Sequence, residues 1–158
     1  MYKHILIPTD GSELSERAVN YGIDLAKGVN AKVTTITVSP PFHAVAFESG
    51  MAFDTLESYT TRMSTVAAKW LAHVQDVAGA AGVGCEIVHV EHEHPYKAII
   101  DTATDRGCDL IVMASHGRRG ISAIVLGSET VKVLTHSTIP VLVYREPRGN
   151  LSTYFAAS

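Results

Sequence analysis

The residues best suited to chemistry in this chain are glycines that follow an apolar run. Gly117 and Gly120 come first, and Gly127 follows with Ser128 directly after it. Glycines between a strand and a helix let backbone N–H groups approach an anion closely, and the helix N-terminus adds its positive dipole. The pattern therefore predicts a phosphate-binding turn, with plain chain reversal as the alternative. It is not a Walker A loop, since no lysine precedes Ser128, and it lacks the Gly-x-Gly-x-x-Gly dinucleotide fingerprint.

A second polar group, Pro8, Thr9, Asp10, Gly11 and Ser12, follows the first apolar run. Ligands of open parallel sheets bind outside the carboxyl ends of the strands, where the winding direction reverses. For a strand order of 3-2-1-4-5 that reversal lies between the first and fourth strands, so Asp10 and the glycines should face one crevice. A carboxylate there suits ribose hydroxyls. The alternative role for Asp10 is capping of the next helix together with Ser12.

Charged residues around the glycines leave several roles open. His116 is placed to reach a phosphate or carry a proton, or else to face solvent as a turn residue. Arg118 and Arg119 are adjacent, so only one of them can aim at a phosphate, and a solvated loop tip is the alternative. Glu129 at a helix start would repel phosphate unless a divalent cation intervenes. We therefore expect Glu129 to face solvent.

Three histidines in one short stretch raise the question of a metal site. On a strand, His92 and His94 share a face while His89 points to the other, so one ion cannot hold all three unless the strand ends between them. The polar residues around them favour an exposed strand-to-helix loop over a metal site.

The two cysteines and the single tryptophan are expected to serve packing. Cys85 and Cys108 would lie three strand spacings apart, about 14 Å, whereas a disulfide tolerates only about 7 Å between Cα atoms. We therefore predict free thiols. Met63 and Trp70 lie on a helical apolar stripe, which favours the core over a ligand contact.

Alternating apolar periodicities predict the elements that position these groups. Runs rich in Ile and Val, typical of buried parallel strands, occupy residues 4–8, 32–38, 85–90, 110–114 and 141–144. Helical stripes lie between them, as in Leu14, Ala18, Tyr21 and Leu25, with Gly28 as the stop signal. Further stripes are Leu56, Tyr59, Met63, Val66, Trp70, Val74 and Val77, then Tyr96, Ile99, Ile100 and Ala103, then Val131 and Leu134. The prediction is a three-layer α/β fold, an open parallel five-stranded sheet of order 3-2-1-4-5 with helices on both faces. Residues 39–55 are too long for an ordinary connection, and we expect a mobile flap there.

Composition and charge narrow the class of protein. The chain is 46% hydrophobic and 18% charged with a net charge of −3, which fits one globular domain at roughly 100–200 residues per domain. We predict a domain over residues 1–145 and a C-terminal tail over 146–158. No apolar run approaches the ~20 residues of a membrane span, and no global basic field favours duplex nucleic acid. The first eight residues are too short for a signal-peptide core, so we expect a cytoplasmic protein.

Four motifs together resemble the universal stress protein family. They are ILIPTDGS at residues 5–12, DLIVMASHG at 109–117, LGS at 126–128 and IPVLV at 139–143. The ATP-binding branch of that family carries Gly-x2-Gly-x9-Gly-[Ser/Thr]. Gly117, Gly127 and Ser128 match it, whereas Ala114 stands at the first glycine. The substitution adds one methyl group where the backbone would approach the ribose or first phosphate.

The resemblance implies a stress-response or signalling protein that binds ATP with Mg²⁺. It places Thr9 and Asp10 on the adenosine side, Val38 and Met113 at the adenine, and the two matched glycines with Ser128 at the phosphates. The complete candidate set is Pro8, Thr9, Asp10, Val38, Met113, Ala114, His116, Gly117, Arg118, Gly127 and Ser128. The resemblance also implies a homodimer formed through the last strand, by Val141, Leu142 and Val143, and it leaves a further, unidentified protein partner open.

Other functions remain open at this stage. No general base stands in a recognisable constellation, so any ATP hydrolysis should be slow. A nucleotide-free dimeric interaction module of the same family is the first alternative. An adenylate-forming or nucleotidyl-transfer enzyme of related fold is the second, and the sequence lacks the catalytic lysine or histidine signature that it would need near the phosphates.

Overall fold

Five strands alternate with five helices in the computed structural model, which describes residues 1–49, 55–117 and 126–146. The elements are β1 (His4–Pro8), α1 (Glu13–Val29), β2 (Lys32–Ser39), α2 (Phe42–Ser49), α3 (Leu56–Ala81), β3 (Cys85–Glu91), α4 (Pro95–Asp105), β4 (Leu110–Ala114), α5 (Ser128–His136) and β5 (Val141–Tyr144). The described part of the chain contains no helix both long and apolar enough to cross a membrane. The tail predicted from residue 146 onward lies outside the described residues except for its first residue.

The strands form one parallel sheet in the order β3-β2-β1-β4-β5, which confirms the predicted order. β1 pairs with β2 along its whole length, from His4 opposite Lys32 to Pro8 opposite Ile36. β1 pairs with β4 at only two positions, Ile5 opposite Leu110 and Leu6 opposite Ile111. The two central strands are therefore joined near one end and are not paired at the other.

Helices cover both faces of the sheet and give it two apolar cores. Successive strand side chains point to opposite faces, so Ile5 and Ile7 belong to one core and Leu6 to the other. Residues of α1 and α3, including Val19 and Val74, complete the first, which we call the α1/α3 core. The second, the α4/α5 core, takes Ile36, Ile99, Ala103, Ile111, Met113 and Val133. The predicted three-layer architecture is thus confirmed.

Helix ends follow from local capping, with one correction. Ser12 caps α1, its hydroxyl accepting a hydrogen bond from Ser15 N at 3.3 Å, and Thr55 caps α3 in the same way. The predicted stop at Gly28 is wrong, because α1 continues to Val29 and ends at Asn30, whose φ of 55° is left-handed. Asparagine tolerates that conformation better than other non-glycine residues, so it replaces glycine as the stop.

The segment predicted as a flap contains a helix. Residues 42–49 form α2, and the ring of Phe42 lies 5.5 Å from that of Tyr59 on α3. The Tyr59 hydroxyl donates a 2.6 Å hydrogen bond to Pro40 O. These contacts tie the first half of the segment to α3, so residues 39–55 are not one long loop, and the mobility of the segment stays a prediction. Residues 50–54 lie outside the described residues.

Some apolar residues assigned to buried helix faces are exposed. Tyr21, Val131 and Leu134 are each exposed by more than two fifths. α1 instead buries Val19 and Ile23, and α5 buries Val133 and Thr130. Tyr21 stacks against Tyr144 at the end of β5, with ring centroids 5.5 Å apart.

Both cysteines are free thiols, as predicted. Cys108 is buried and Cys85 half-buried. Burial raises the pKa of each thiol to about 11. Neither is a reactive thiolate at neutral pH.

Candidate functional site

A crevice opens between the carboxyl ends of β1 and β4, where these strands no longer pair. Beyond Leu6, β1 is held by β2, and Thr9 N donates to Ile36 O at 2.9 Å. Beyond Ile111, β4 is held by β5, and Ser115 N donates to Tyr144 O at 2.9 Å. The turns after β1 and β4 therefore flank the opening, which is where open α/β sheets bind ligands.

Asp10 and Gly117 meet across this crevice. A Cβ placed on Gly117 would lie 2.5 Å from Asp10 Oδ2, so only a glycine allows the carboxylate its position. The other oxygen, Oδ1, accepts a 3.0 Å hydrogen bond from Ser12 N. The predicted convergence of the two turns is present. One oxygen of Asp10 orders the helix start and the other borders the crevice, and the ribose-binding role of Asp10 stays a prediction.

The side chain of Thr9 is engaged within its own turn. Thr9 is 6% exposed, and its hydroxyl lies 3.0 Å from Ser15 Oγ. It also accepts a 3.3 Å hydrogen bond from Gly11 N. The carbonyl of Thr9 accepts a 3.0 Å hydrogen bond from the Thr37 hydroxyl. In the structure Thr9 therefore fixes the turn that carries Asp10.

The turn after β4 brings Gly127 against His116. Gly127 N donates to Ser115 O at 2.8 Å, and a Cβ on Gly127 would lie 3.1 Å from His116 Cα. Gly127 is the N-cap of α5 and supplies no side-chain cap. The first N–H groups of a helix have no partner within it, so the start of α5 at Ser128 presents donors beside the crevice. This is the geometry of an anion site.

Ala114 lies at the end of β4 and is 8% exposed. Its carbonyl accepts a 3.1 Å hydrogen bond from the Thr130 hydroxyl, which joins β4 to the first turn of α5.

Val38 and Met113 lie on the same side of the sheet. Met113 is 6% exposed and belongs to the α4/α5 core, and Val38 packs against that core. Pro8, opposite Ile36 in register, ends the strand between them. Val38 and Met113 therefore lie on the sheet face that α4 and α5 cover, whereas α1 covers the other face.

Glu129 does not simply face solvent, which corrects the expectation. Its Oε2 accepts a 2.9 Å hydrogen bond from Tyr96 N in the first turn of α4, and its Oε1 pairs with Lys132 Nζ at 2.9 Å. The hydrogen bond to this carboxylate raises the pKa of Lys132. The donor comes from α4, and the order of elements along the chain does not show that α4 lies beside α5. Because Glu129 is partnered, its charge at the crevice is partly offset.

His116 lines a cavity of about 290 Å³ together with Ser12, Leu14 and Gly117. Its Nδ1 lies 3.2 Å from Ser115 Oγ. Arg17, on the same wall, pairs with both Glu13 and Glu146. Sequence reasoning did not single out Arg17, whose two acidic partners come from separate parts of the chain. Arg118 and Arg119 lie outside the described residues.

The three histidines are divided between β3, which carries His89, and the loop after it, which carries His92 and His94. His89 lies on β3, with Nε2 2.8 Å from Ser39 Oγ. His92 Nδ1 accepts a 2.8 Å hydrogen bond from His94 N. Among the described residues no group of three His, Cys, Asp or Glu side chains could hold a metal ion.

Trp70 lies in a different environment from the core position predicted from the sequence. It is half-buried rather than a core residue, and its indole lies directly against Gly11, beside Asp10. The helical stripe correctly turns Trp70 toward the body of the protein. No local signal in the sequence reveals that α3 passes over this turn.

Comparison with known proteins agrees with this geometry. The model of the universal stress protein family matches residues 1–145. A universal stress protein from Methanocaldococcus jannaschii is 32% identical over 150 residues, covering 94% of this chain and 85% of that protein. The solved structure of the hypothetical protein MJ0577 has a TM-score of 0.79 at 27% identity, covering 94% of this chain and 99% of its own. A universal stress protein solved in complex with cAMP gives 0.65 at 27% identity, covering 91% and 97%.

The family match spans the site as well as the fold, because residues 1–145 include both turns that flank the crevice. The resemblance seen in the sequence motifs is confirmed by these independent comparisons. The chain belongs to the universal stress protein family.

Proposed function

We propose that the protein binds an adenine nucleotide, ATP with Mg²⁺, in the crevice between β1 and β4. The observation that carries the proposal is the approach of Gly117 to Asp10, where a Cβ would lie 2.5 Å from the carboxylate. This approach supports the proposal because a carboxylate, which suits ribose hydroxyls, lies beside the segment that follows β4. The family member solved with cAMP shows that a related protein binds an adenine nucleotide.

In this proposal the nucleotide lies across the crevice toward the start of α5. Val38 and Met113 contact the adenine, and Asp10 accepts hydrogen bonds from the ribose. The phosphates lie beside Gly127, whose own N–H donates to Ser115 O, and are held by the first N–H groups of α5 from Ser128 onward. Mg²⁺ would be held mainly by phosphate oxygens and water, which would offset repulsion from Glu129. His116 and Arg118 are further candidates at the phosphate end.

The glycine positions fit such a ligand because their backbones come close to neighbouring groups. A Cβ on Gly127 would already crowd His116 at 3.1 Å, so a larger side chain would project into or distort the turn. Ala114 has its methyl group where the ATP-binding branch has none. That departure favours the second candidate function, a nucleotide-free dimeric interaction module.

One experiment separates the two candidates. The purified protein is extracted with acid to look for released nucleotide, and thermal unfolding is then followed with and without ATP and Mg²⁺. Ligand at 100 times its Kd stabilises the folded state by about 2.7 kcal/mol. Bound nucleotide or a clear shift supports binding, whereas neither at millimolar ATP supports the interaction module.

The variant Gly127→Val ties the binding to this site. We expect it to fold and to lose ATP binding, because the branched side chain blocks backbone approach. Gly84→Val is the matched control, since a Cβ at Gly84 meets nothing within 4 Å. Retained affinity in Gly127→Val would remove that glycine from the site.

We also propose a homodimer formed through β5. This strand lies at the edge of the sheet, and Val141, Leu142 and Val143 are all half-buried. An apolar edge strand is a template for pairing with a second strand. Light scattering should give twice the chain mass, and Val143→Pro, which removes a backbone donor, should shift it toward the monomer.

A cytoplasmic stress-response or signalling role completes the proposal. Two free, unreactive thiols suit a reducing compartment. Transcript and protein levels under energy limitation test the stress role, and fractionation of the source cells tests the location.

A further inference from the structure

The indole of Trp70 lies on the turn that carries Asp10. A Cβ built on Gly11 would fall 2.1 Å from Trp70 Cε2, 2.2 Å from Nε1 and 2.6 Å from Cδ2. The ring therefore occupies the space that any side chain at position 11 would need. Gly11 also has a φ of +69°, a left-handed conformation that glycine adopts without strain.

This contact closes the turn from the side opposite the crevice. Gly11 is bonded to Asp10 and Ser12, and its own N–H donates a long 3.3 Å hydrogen bond to the Thr9 hydroxyl. Asp10 Oδ2 approaches Gly117 on the crevice side. The turn is thus enclosed between the indole and Gly117.

The indole and the turn both border open space. Trp70 and Gly11 line a cavity of about 360 Å³ between α1 and α3, together with Lys69 and His73. The cavity gives the ring room to move if the turn moves. Trp70 is the single tryptophan of the chain, so its fluorescence reports on this turn alone.

We infer that Trp70 is a positioning residue for nucleotide binding, which holds the Asp10 carboxylate in the orientation that recognises the ribose. The inference rests on the proposed function. Trp70 acts from behind the turn, through Gly11, and takes no part in contacting the nucleotide. Removing the indole does not alter the Asp10 carboxylate itself, but it frees the turn that carries Asp10 to rotate.

The first test compares affinities of Trp70→Ala, Trp70→Phe and wild type by calorimetry with ATP. We expect Kd to rise about tenfold in Trp70→Ala, as expected for losing one hydrogen bond to a carboxylate. Trp70→Phe keeps a ring on Gly11 and should restore most of the affinity.

A second readout separates positioning from mere loss of stability. The ratio of Kd for 2′- or 3′-deoxy-ATP to Kd for ATP measures how well Asp10 recognises the ribose. The variant Asp10→Ala gives the value of this ratio that is expected when the ribose is not recognised. Trp70→Ala should approach that value, and Trp70→Phe should stay near wild type. Val74→Ala, a truncation on α3 at a residue 2% exposed, should lower stability and leave the ratio unchanged.

A third comparison tests the contact itself. Gly11→Ala and Gly107→Ala place a methyl group at similar positive φ values, +69° and +66°, but nothing lies within 4 Å of a Cβ on Gly107. Gly11→Ala should therefore lower the melting temperature more than Gly107→Ala, and the excess should disappear in a Trp70→Ala background.

The possible outcomes distinguish a failure of this inference from a failure of the proposed function. If wild type binds no ATP, the proposed function is wrong and this inference falls with it. If wild type binds ATP and Trp70→Ala keeps both the affinity and the ribose ratio, the inference alone is wrong.

Discussion

Gly117→Ala tests the central contact of the site with the smallest possible change. Gly117 does not have a positive φ, so an alanine causes no backbone strain there. The new methyl group would lie 2.5 Å from Asp10 Oδ2, and the next atom, Asp10 Cγ, is 3.6 Å away. The clash is therefore confined to one carboxylate oxygen.

The size of the effect follows from these distances. Ordinary contact begins at 3.4 Å, so the oxygen has to withdraw by about 0.9 Å. Rotation of the carboxylate by that amount weakens the 3.0 Å hydrogen bond from Ser12 N and misdirects the oxygen that would bind the ribose. Loss of one such hydrogen bond costs about 1–2 kcal/mol, which corresponds to a Kd for ATP about 5- to 30-fold higher.

Calorimetry with ATP and Mg²⁺ on wild type, Gly117→Ala and Gly84→Ala measures this directly. Gly84→Ala, with no atom near its Cβ, should bind as wild type does. In an Asp10→Ala background the methyl group at position 117 has nothing to displace and should have no further effect. An unchanged Kd in Gly117→Ala would refute the reasoning, because Asp10 could then not be the ribose ligand.

Three further predictions concern stability and the motif. His4 is 5% exposed with Nε2 2.8 Å from Thr34 Oγ1, and burial lowers its pKa from 6.5. As the pH falls, His4 is therefore protonated in the unfolded chain before it is protonated in the folded one. The free energy of unfolding, measured by denaturant titration, should keep its full value above pH 6.5 and decrease below it. The decrease with falling pH should be smaller in His4→Gln. Gly79→Ala, in α3 with nothing within 4 Å, should stabilise by about 0.5–1 kcal/mol, and a lower melting temperature would count against it. Ala114→Gly should bind ATP equally or more tightly, and a clear loss of affinity would contradict the motif alignment.

The strands were predictable because each is a short run rich in apolar residues, although β3 at the sheet edge is mostly exposed. Residues 4–8, 110–114 and 141–144 are strands with the predicted bounds, and β2 and β3 each run one residue further. Alternation of these runs with helical stripes leads to a parallel sheet, and the sheet order then places the Asp10 turn beside the β4–α5 turn. Both steps depend on local periodicity and general rules of topology.

The remaining contacts depend on where distant helices cross, which periodicity does not show. Glu129 accepts a hydrogen bond from Tyr96, 33 residues away in sequence. Trp70, on α3, lies against Gly11 in the turn before α1. The predictions for Glu129 and Trp70 consider only the helix that carries each residue. Each of them contacts a backbone group of another element, and because every residue type has the same backbone groups, the sequence does not indicate the contact.

The pairing of β1 with β4 has a mechanical consequence. At the amino-terminal end Asp109 fastens them, its carboxylate accepting hydrogen bonds from Lys3 N and His4 N at 2.8 and 3.0 Å. At the other end the strands bond only to β2 and β5 among the described residues. Helix α1 bridges the two strands where they do not pair, because Val19 and Ile23 share one core with Ile7 of β1 and Val112 of β4. Widening of the crevice would therefore act on the packing of α1 rather than on ladder hydrogen bonds, and distance measurements between labels on β2 and β5 would detect it.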